Sequence, residues 1–244
     1  MIVLKRLSYI YSNNFDMSIG PYTHEQNHED ETFGIPLVKS DHIVIEYYQS
    51  ANILEEPQLN INTVFHAYLD IHNFYGERDD RDCGDNVNCS SADNYQDPVN
   101  AAAFLDMGGY ICSGSMINNT NNDLTPYFLT AWHCVNGENV NTFRFYFNYE
   151  TSSCSGNNAS YGSYAYSSDL LLSSGDMDPD FALLLIDDDI YTSWNVFYAG
   201  WNIDGSPSQA ASVGVHHPGG EPKQINLSRT GSTPLRWFLM PWFK

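Results

Sequence analysis

Lysine is scarce in this sequence, and positive charge is scarce overall. The 244 residues contain 10 lysines and arginines against 30 aspartates and glutamates, so the formal net charge is −20. Proteins that bind nucleic acid present a basic patch to the phosphates, so no nucleic-acid partner is expected. The acidic balance instead favours solubility in an extracellular or salty setting.

Long apolar runs are also missing. No segment is long and apolar enough to span a bilayer, which predicts a protein without a membrane partner. Residues Met1 to Tyr11 contain Lys5 and Arg6, but no sustained apolar stretch follows them. They therefore do not predict a signal peptide.

The sequence has no C-x-x-C motif, which makes a zinc site unexpected, and nothing in it calls for another cofactor. Its five cysteines lie close together in the middle of the chain: Cys83, Cys89, Cys112, Cys134 and Cys154. Clustered cysteines in an acidic, β-rich chain are typical of the disulfides of secreted proteins, which predicts an extracellular location. An odd number leaves one cysteine without a partner.

The secondary-structure signals indicate an all-β protein, because short apolar runs alternate with loops rich in Gly, Asn, Asp and Ser. Asp41–Gln49 alternates apolar and polar residues and is predicted to be a strand, and Leu59–Ile71 one or two more. Helical potential is confined to the stretch from Asp97 to Leu105. The charged segment Gly76–Asp82 predicts a linker between two parts of the chain. After it, further strands are predicted at Phe104–Met107, Tyr127–Ala131, Thr142–Tyr149 and Phe181–Ile186.

One motif carries most of the chemical information. The apolar strand Tyr127–Thr130 runs into Ala131-Trp132-His133-Cys134. General-base catalysis needs an imidazole, whose ordinary pKa lies near neutrality, and the end of a strand can hold such a ring still. A lone histidine there could merely cap the strand, but the flanking Thr-Ala and Cys favour His133 as a base.

A second motif begins with a carboxylate. Asp180 is followed by the apolar run Phe181–Ile186, so its side chain is expected at the edge of a buried strand. A carboxylate in that position can accept the Nδ1 proton of a histidine and stabilise the imidazolium. Asp176 and Asp178 precede it, but without the glycine and distal glutamate of a calcium loop they predict a solvated turn and no metal.

Together these motifs resemble trypsin-like serine proteases, and the bacterial lysyl endopeptidase group most closely. The Thr-Ala-Trp-His-Cys motif is similar to the family's histidine signature, and Asp180–Ile186 to its aspartate strand. Further similar segments occur in the family's order: Cys83–Cys89, Cys112–Asn119, Phe147–Cys154, Ala199–Trp201 and Val215–Pro218. The resemblance spans roughly residues 83–228, and residues 33–70 resemble part of the family's propeptide.

The resemblance implies disulfides Cys112–Cys134 and Cys89–Cys154. It pairs the first mature cysteine, Cys83 here, with a cysteine near the nucleophile, which this sequence lacks, so Cys83 is expected to be unpaired. No G-x-S-G motif follows Asp180, and Gly205-Ser206-Pro207 is its nearest imitation. Residues 83–244 are also fewer than the roughly 200–250 of such barrel proteases. A truncated or frameshifted gene is the expected explanation.

The expected fold is therefore a chymotrypsin-like, all-β protein. Residues 1–80 are predicted to be a β-rich propeptide remnant and linker. Residues 81–244 are predicted to form a protease domain with one complete six-stranded Greek-key barrel and part of a second.

The family implies a secreted, monomeric endopeptidase that cuts peptide or protein substrates, with lysine preference at the cleaved bond. His133 and Asp180 would belong to its catalytic triad, and without the serine the chain is predicted to be inactive. Two alternatives differ in class: a non-catalytic pseudoprotease whose tail after Thr230 covers the barrel, and a β-rich binding module with an exposed aromatic patch.

Overall fold

Strands dominate the computed structural model. It describes residues 6–51, 53–54, 56, 59–67, 84–156, 159–202 and 212–228. The chain divides into two compact units, residues 1–66 and 67–244. The predicted boundary at residues 76–82 lies outside the described residues, so the predicted domain limits stay predictions. Of the helices in the described part, none is long and apolar enough to cross a lipid bilayer.

The first unit is built on a three-stranded antiparallel sheet. Its strands are β1 (Arg6–Ser12), β2 (Ser18–Tyr22) and β3 (Ile43–Gln49), with β1 in the centre. A short 3-10 helix, His24–Gln26, follows β2 and is closed by a capping box between Thr23 and Gln26. The alternating sequence Asp41–Gln49 therefore does form a strand, beginning two residues later than predicted.

The strand prediction for Leu59–Ile71 is wrong over residues 59–67, which form no strand, and residues 68–71 lie outside the described part. The side chains of Leu59, Ile61, Val64 and Phe65 are all more than half exposed. Alternation of apolar residues gives a strand only where a neighbouring strand pairs with it, and no such neighbour is present among the described residues.

The second unit contains the remaining regular structure. Its strands are β4 (Asp85–Asn86), β5 (Ala102–Asp106), β6 (Ile111–Ile117), β7 (Tyr127–Thr130), β8 (Arg144–Tyr146), β9 (Glu150–Thr151), β10 (Ala159–Ser160), β11 (Tyr164–Tyr166), β12 (Ser168–Ser173), β13 (Ala182–Ile186), β14 (Ser212–His216) and β15 (Gln224–Ser228). Its helices are α1 (Gln96–Ala101) and α2 (Trp132–Val135), and short 3-10 helices cover Ser90–Ala92, Val140–Thr142, Thr192–Trp194 and Pro218–Gly220. The helical potential predicted from Asp97 to Leu105 is thus realised only as far as Ala101, where β5 takes over.

The largest sheet has the order β11-β8-β5-β6-β7-β13-β12 and is antiparallel throughout. Strands β5, β6 and β7 follow one another directly, and β8 returns to lie beside β5. This order, β8-β5-β6-β7, is a Greek key.

A single residue joins the two edges of this sheet. Ser167 stands between β11, which pairs with β8, and β12, which pairs with β13. Its N–H donates to the carbonyl of Phe143, and its own carbonyl accepts from the N–H of Asp187. Because both edges meet at Ser167, the sheet is curled into a barrel, and β11 and β12 act as one bent strand. The six-stranded, all-β barrel expected from the sequence is confirmed in this form.

The barrel is filled by aliphatic and aromatic side chains together. Phe128, Phe143, Phe145 and Leu184 are fully buried, and the rings of Phe128 and Phe145 meet edge to face with centroids 4.9 Å apart. Gly114 on β6 belongs to this packing, because a Cβ added there would lie 2.3 Å from the Phe128 ring.

A smaller antiparallel sheet, in the order β14-β15-β4, lies in the same unit. It has its own apolar cluster of Val87, Ala92, Val99 and Ile225.

Candidate active site

The candidate site lies where two neighbouring barrel strands reach the same end. Strands β7 and β13 are antiparallel, with Thr130 opposite Ala182. Thr130 is the last residue of β7 and Ala182 the first of β13. The residues just beyond Thr130 and just before Ala182 are therefore neighbours, although they are far apart in sequence.

His133 and Asp180 occupy these positions and contact each other. His133 lies in α2, and its Nδ1 is 2.5 Å from Oδ2 of Asp180. The backbone N–H of His133 donates to Oδ1 of the same carboxylate at 3.0 Å. One aspartate thus fixes both the ring and the main chain of one histidine. Both side chains are half-buried, 26% and 18% exposed, so this hydrogen bond is partly shielded from water.

The other ring nitrogen points away from the carboxylate. Nε2 of His133 lies 3.5 Å from Sγ of Cys134, and no hydroxyl group among the described residues bonds to it. A ring held at Nδ1 and open at Nε2 can accept a proton from a group placed on the Nε2 side.

A disulfide fastens the histidine segment to the neighbouring strand. Cys134 in α2 is bonded to Cys112 on β6, with Cα atoms 6.4 Å apart. Thr130, fully buried at the end of β7, donates its hydroxyl to the carbonyl of Ser113 at 3.0 Å. The segment that carries His133 is therefore attached to β6 by a covalent bond and a hydrogen bond.

A second disulfide joins Cys89 and Cys154, with Cα atoms 4.3 Å apart. The two bonded pairs are those that the resemblance implies. Cys83 lies outside the described residues, so its expected unpaired state stays a prediction.

One group of possible metal ligands lies at the site. Cys112, His133 and Cys134 lie close enough together to share an ion, but their two sulfur atoms are bonded to each other. Metal binding needs thiolates, which a disulfide does not offer. Asp176 is exposed, and its carboxylate accepts the N–H of Met177, as expected for a turn.

Ser113 and His217 form a contact that the sequence does not predict. The N–H of His217 donates to Oγ of Ser113 at 2.9 Å, and its buried ring stacks on Tyr149 with centroids 5.6 Å apart. Burial lowers the pKa of His217 well below its usual value, so the ring is neutral at pH 7. The contact holds the turn after β14 against β6, next to Cys112. In the sequence the His-His-Pro segment is recognisable only as a family motif, which does not reveal where its side chains point.

Comparison with known proteins agrees with this geometry. The family model of the lysyl endopeptidase C-terminal domain matches residues 78–237, and the chain belongs to this family. A curated lysyl endopeptidase from Pseudomonas aeruginosa is 28% identical over 221 residues, which cover 81% of this chain and 46% of the relative. The chain thus spans about half the length of this curated relative.

Proposed function

We propose that the second unit carries the base and carboxylate of a serine-endopeptidase site. His133 accepts a proton at Nε2, and Asp180 holds the Nδ1 proton and stabilises the imidazolium that forms. The single observation that carries this proposal is the double attachment of His133 to Asp180, at Nδ1 and at the backbone N–H. Membership of the lysyl endopeptidase family supports the same roles.

Peptides or proteins are the proposed substrate class, and cleavage after lysine is the proposed preference. The lysyl endopeptidase from Pseudomonas aeruginosa, to which the chain is similar, supports this preference. The net charge of −20 also favours it, because a negative field raises the local concentration of cationic substrates and speeds their encounter.

The proposed location is extracellular. The disulfides Cys89–Cys154 and Cys112–Cys134 support it, because such bonds form and persist in oxidising surroundings.

The polypeptide of residues 1–244 is proposed to be inactive by itself. A triad enzyme needs a serine flanked by backbone N–H groups that form the oxyanion hole. No G-x-S-G motif follows Asp180, and Gly205-Ser206-Pro207 is not a substitute for it. In the described part of the chain, no hydroxyl group bonds to Nε2 of His133.

The experiment is to purify residues 1–244 and measure hydrolysis of lysyl, arginyl and aromatic ester substrates. The rate is expected to equal that of the His133→Ala variant, and a fluorophosphonate probe is expected to label neither protein. Loss of a triad serine costs about 10⁶ in kcat in subtilisin, so even a small residual rate is informative. Turnover or labelling that depends on His133 would show that a serine of this chain is a nucleophile.

The pseudoprotease alternative predicts that the tail after Thr230 covers the barrel. These residues lie outside the described part, so this stays a prediction. The binding-module alternative needs an aromatic patch. In the described part of the second unit, Tyr110, Tyr191 and Trp201 are more than half exposed, but no ring contact joins them to one another. We therefore retain the protease-type site as the better supported function.

A further inference from the structure

The positive side chains of the second unit are distributed in an unusual way. Between residues 84 and 228 the sequence contains two basic residues, Arg144 and Lys223. Their exposed fractions are 2% and 0%. Arginine and lysine are normally among the most exposed residues, so the burial of both needs explanation.

Arg144 is enclosed by strand pairing and by aromatic rings. It lies on β8, opposite Asp106 of β5 on one side and Tyr166 of β11 on the other. Its guanidinium carbon is 5.4 Å from the ring centre of Tyr166 and 6.0 Å from that of Tyr164. Neither its side chain nor its backbone can leave this position without opening the barrel.

Lys223 is enclosed by backbone carbonyls. Its Nζ donates to the carbonyls of Val99 and Phe147, at 2.9 and 2.5 Å. Its backbone N–H donates to Tyr149 and its carbonyl accepts from Val87. Three segments of the chain, around Val87, Val99 and Phe147–Tyr149, therefore hold this residue by both its main chain and its side chain.

Lys39 in the first unit has the opposite environment. It is exposed and lies in the connection between β2 and β3, where residues 34–38 have no regular secondary structure. The N–H of Ser40 donates to the carbonyl of Val38, so the chain turns at Lys39 and presents it outward.

Endoproteases that cut after lysine or arginine must insert that side chain into a pocket and extend the backbone around it. A buried bond is cut only in molecules that have opened locally or globally, which are a small fraction. Exposed loop segments are the preferred sites of nicking. The bond after exposed Lys39 is therefore predicted to be cut much faster than the bonds after buried Arg144 and Lys223.

We propose that Lys39–Ser40 is a proteolytic processing site, and that the folded second unit between residues 84 and 228 is closed to all endoproteases specific for basic residues. Water adds its oxygen to the Lys39 carbonyl carbon and the bond to the Ser40 nitrogen breaks. The products are a carboxylate on Lys39 and a new amino group on Ser40. The cut is made by a lysine-directed endoprotease, so the proposal does not depend on the activity of this chain.

Cleavage there does not remove a strand from the sheet. Strand β1 pairs with β3 over seven residue pairs, from Arg6–Gln49 to Ser12–Ile43. After the cut these strands are held by hydrogen bonds and packing alone, so the first unit becomes a non-covalent complex of two pieces. The site thus offers a way to loosen the first unit while the barrel stays intact.

The test is digestion of native residues 1–244 with a lysine-specific endoprotease, followed by mass spectrometry of the fragments over time. The bond after Lys39 is expected to be cut at least about 100-fold faster than the bond after Lys223. Trypsin is likewise expected to cut the bond after Lys39 at least about 100-fold faster than the bond after Arg144. In concentrated urea all three bonds are expected to be cut at comparable rates.

The Lys39→Arg variant is the matched control. It is expected to resist the lysine-specific enzyme at residue 39 and to remain a trypsin site there, with the barrel unchanged. Native cleavage after Arg144 or Lys223 as fast as after Lys39 would overturn the proposal. So would resistance of Lys39–Ser40 under conditions in which the urea-treated chain is cut.

Discussion

The carboxylate of Asp180 accepts two hydrogen bonds from His133, and this arrangement requires an acceptor at both oxygens. Asp180→Asn keeps the size of the side chain but replaces one acceptor with an NH₂ donor. Facing a donor, His133 is expected to give up its Nδ1 proton and carry it on Nε2 instead. Nitrogen-15 NMR of the imidazole measures this change of tautomer directly.

The same variant is expected to lower the free energy of unfolding by about 1–3 kcal/mol, because hydrogen bonds to a charged group are lost. Asp189→Asn is the control, since it removes the same charge at an exposed position. An unchanged tautomer in Asp180→Asn would mean that the carboxylate does not orient the ring.

Lys223 gives the structure a distinctive pH dependence. Burial lowers its pKa to about 8, although the nearby Glu150 carboxylate acts in the opposite direction. In the unfolded chain the pKa returns to about 10.5. Between these values the unfolded state holds one proton more than the folded state, so folding is stabilised as the pH rises.

The expected slope is about 1.4 kcal/mol per pH unit between pH 8.5 and 10. Because tyrosines also begin to titrate there, the quantity to measure is the stability of the wild type minus that of Lys223→Met. Urea unfolding at several pH values gives both. If this difference does not change with pH, the lysine is not buried as described.

At the scale of elements, the two disulfides brace segments of different length. Cys89 and Cys154 are 65 residues apart, and Cys112 and Cys134 are 22 apart. Closing the longer loop removes more entropy from the unfolded chain, which gives about 4 kcal/mol for the first bond and about 3 for the second. Each pair has one buried and one more exposed cysteine, so replacing either pair is expected to cost a comparable amount of packing energy.

Replacing each pair with alanines tests this order. The Cys89/Cys154 variant is expected to unfold at a lower urea concentration than the Cys112/Cys134 variant, with both below the wild type. The reverse order would show that the Cys112–Cys134 bond supports native packing beside His133 beyond its effect on the unfolded chain.

The elements differ in how well the sequence predicts them. Tyr127–Thr130 and Phe181–Ile186 are predictable because barrel strands that pair on both sides are rich in apolar residues. Leu59–Ile71 also has a strand-like sequence pattern, but residues 59–67 form no strand. Pairing depends on distant residues, which a local pattern does not contain. The neighbourhood of His133 and Asp180 was available only through the family resemblance, since their contact arises from the register of β7 and β13.

For the whole molecule, composition predicts an acidic, all-β protein but not the placement of its few cations. Nothing local distinguishes Lys223, which is fully buried, from Lys39, which is exposed. Burial of a lysine depends on carbonyls supplied by Val99 and Phe147, far away in sequence. The same holds for Ser167, whose neighbours in the sequence give no sign that two sheet edges meet there.

A closed barrel has no free edge strand, so it can open only where two neighbouring strands separate. The connection between β11 and β12 is a single residue, Ser167, whose backbone is left-handed (φ 62°). On one side of it three residue pairs connect β11 to β8, and on the other five pairs connect β12 to β13. The shorter pairing, between β11 and β8, is expected to separate first. This would expose the surroundings of Arg144 while β7 and β13 stay paired. We therefore expect the barrel to open first between β8 and β11, and not between the strands that support His133 and Asp180.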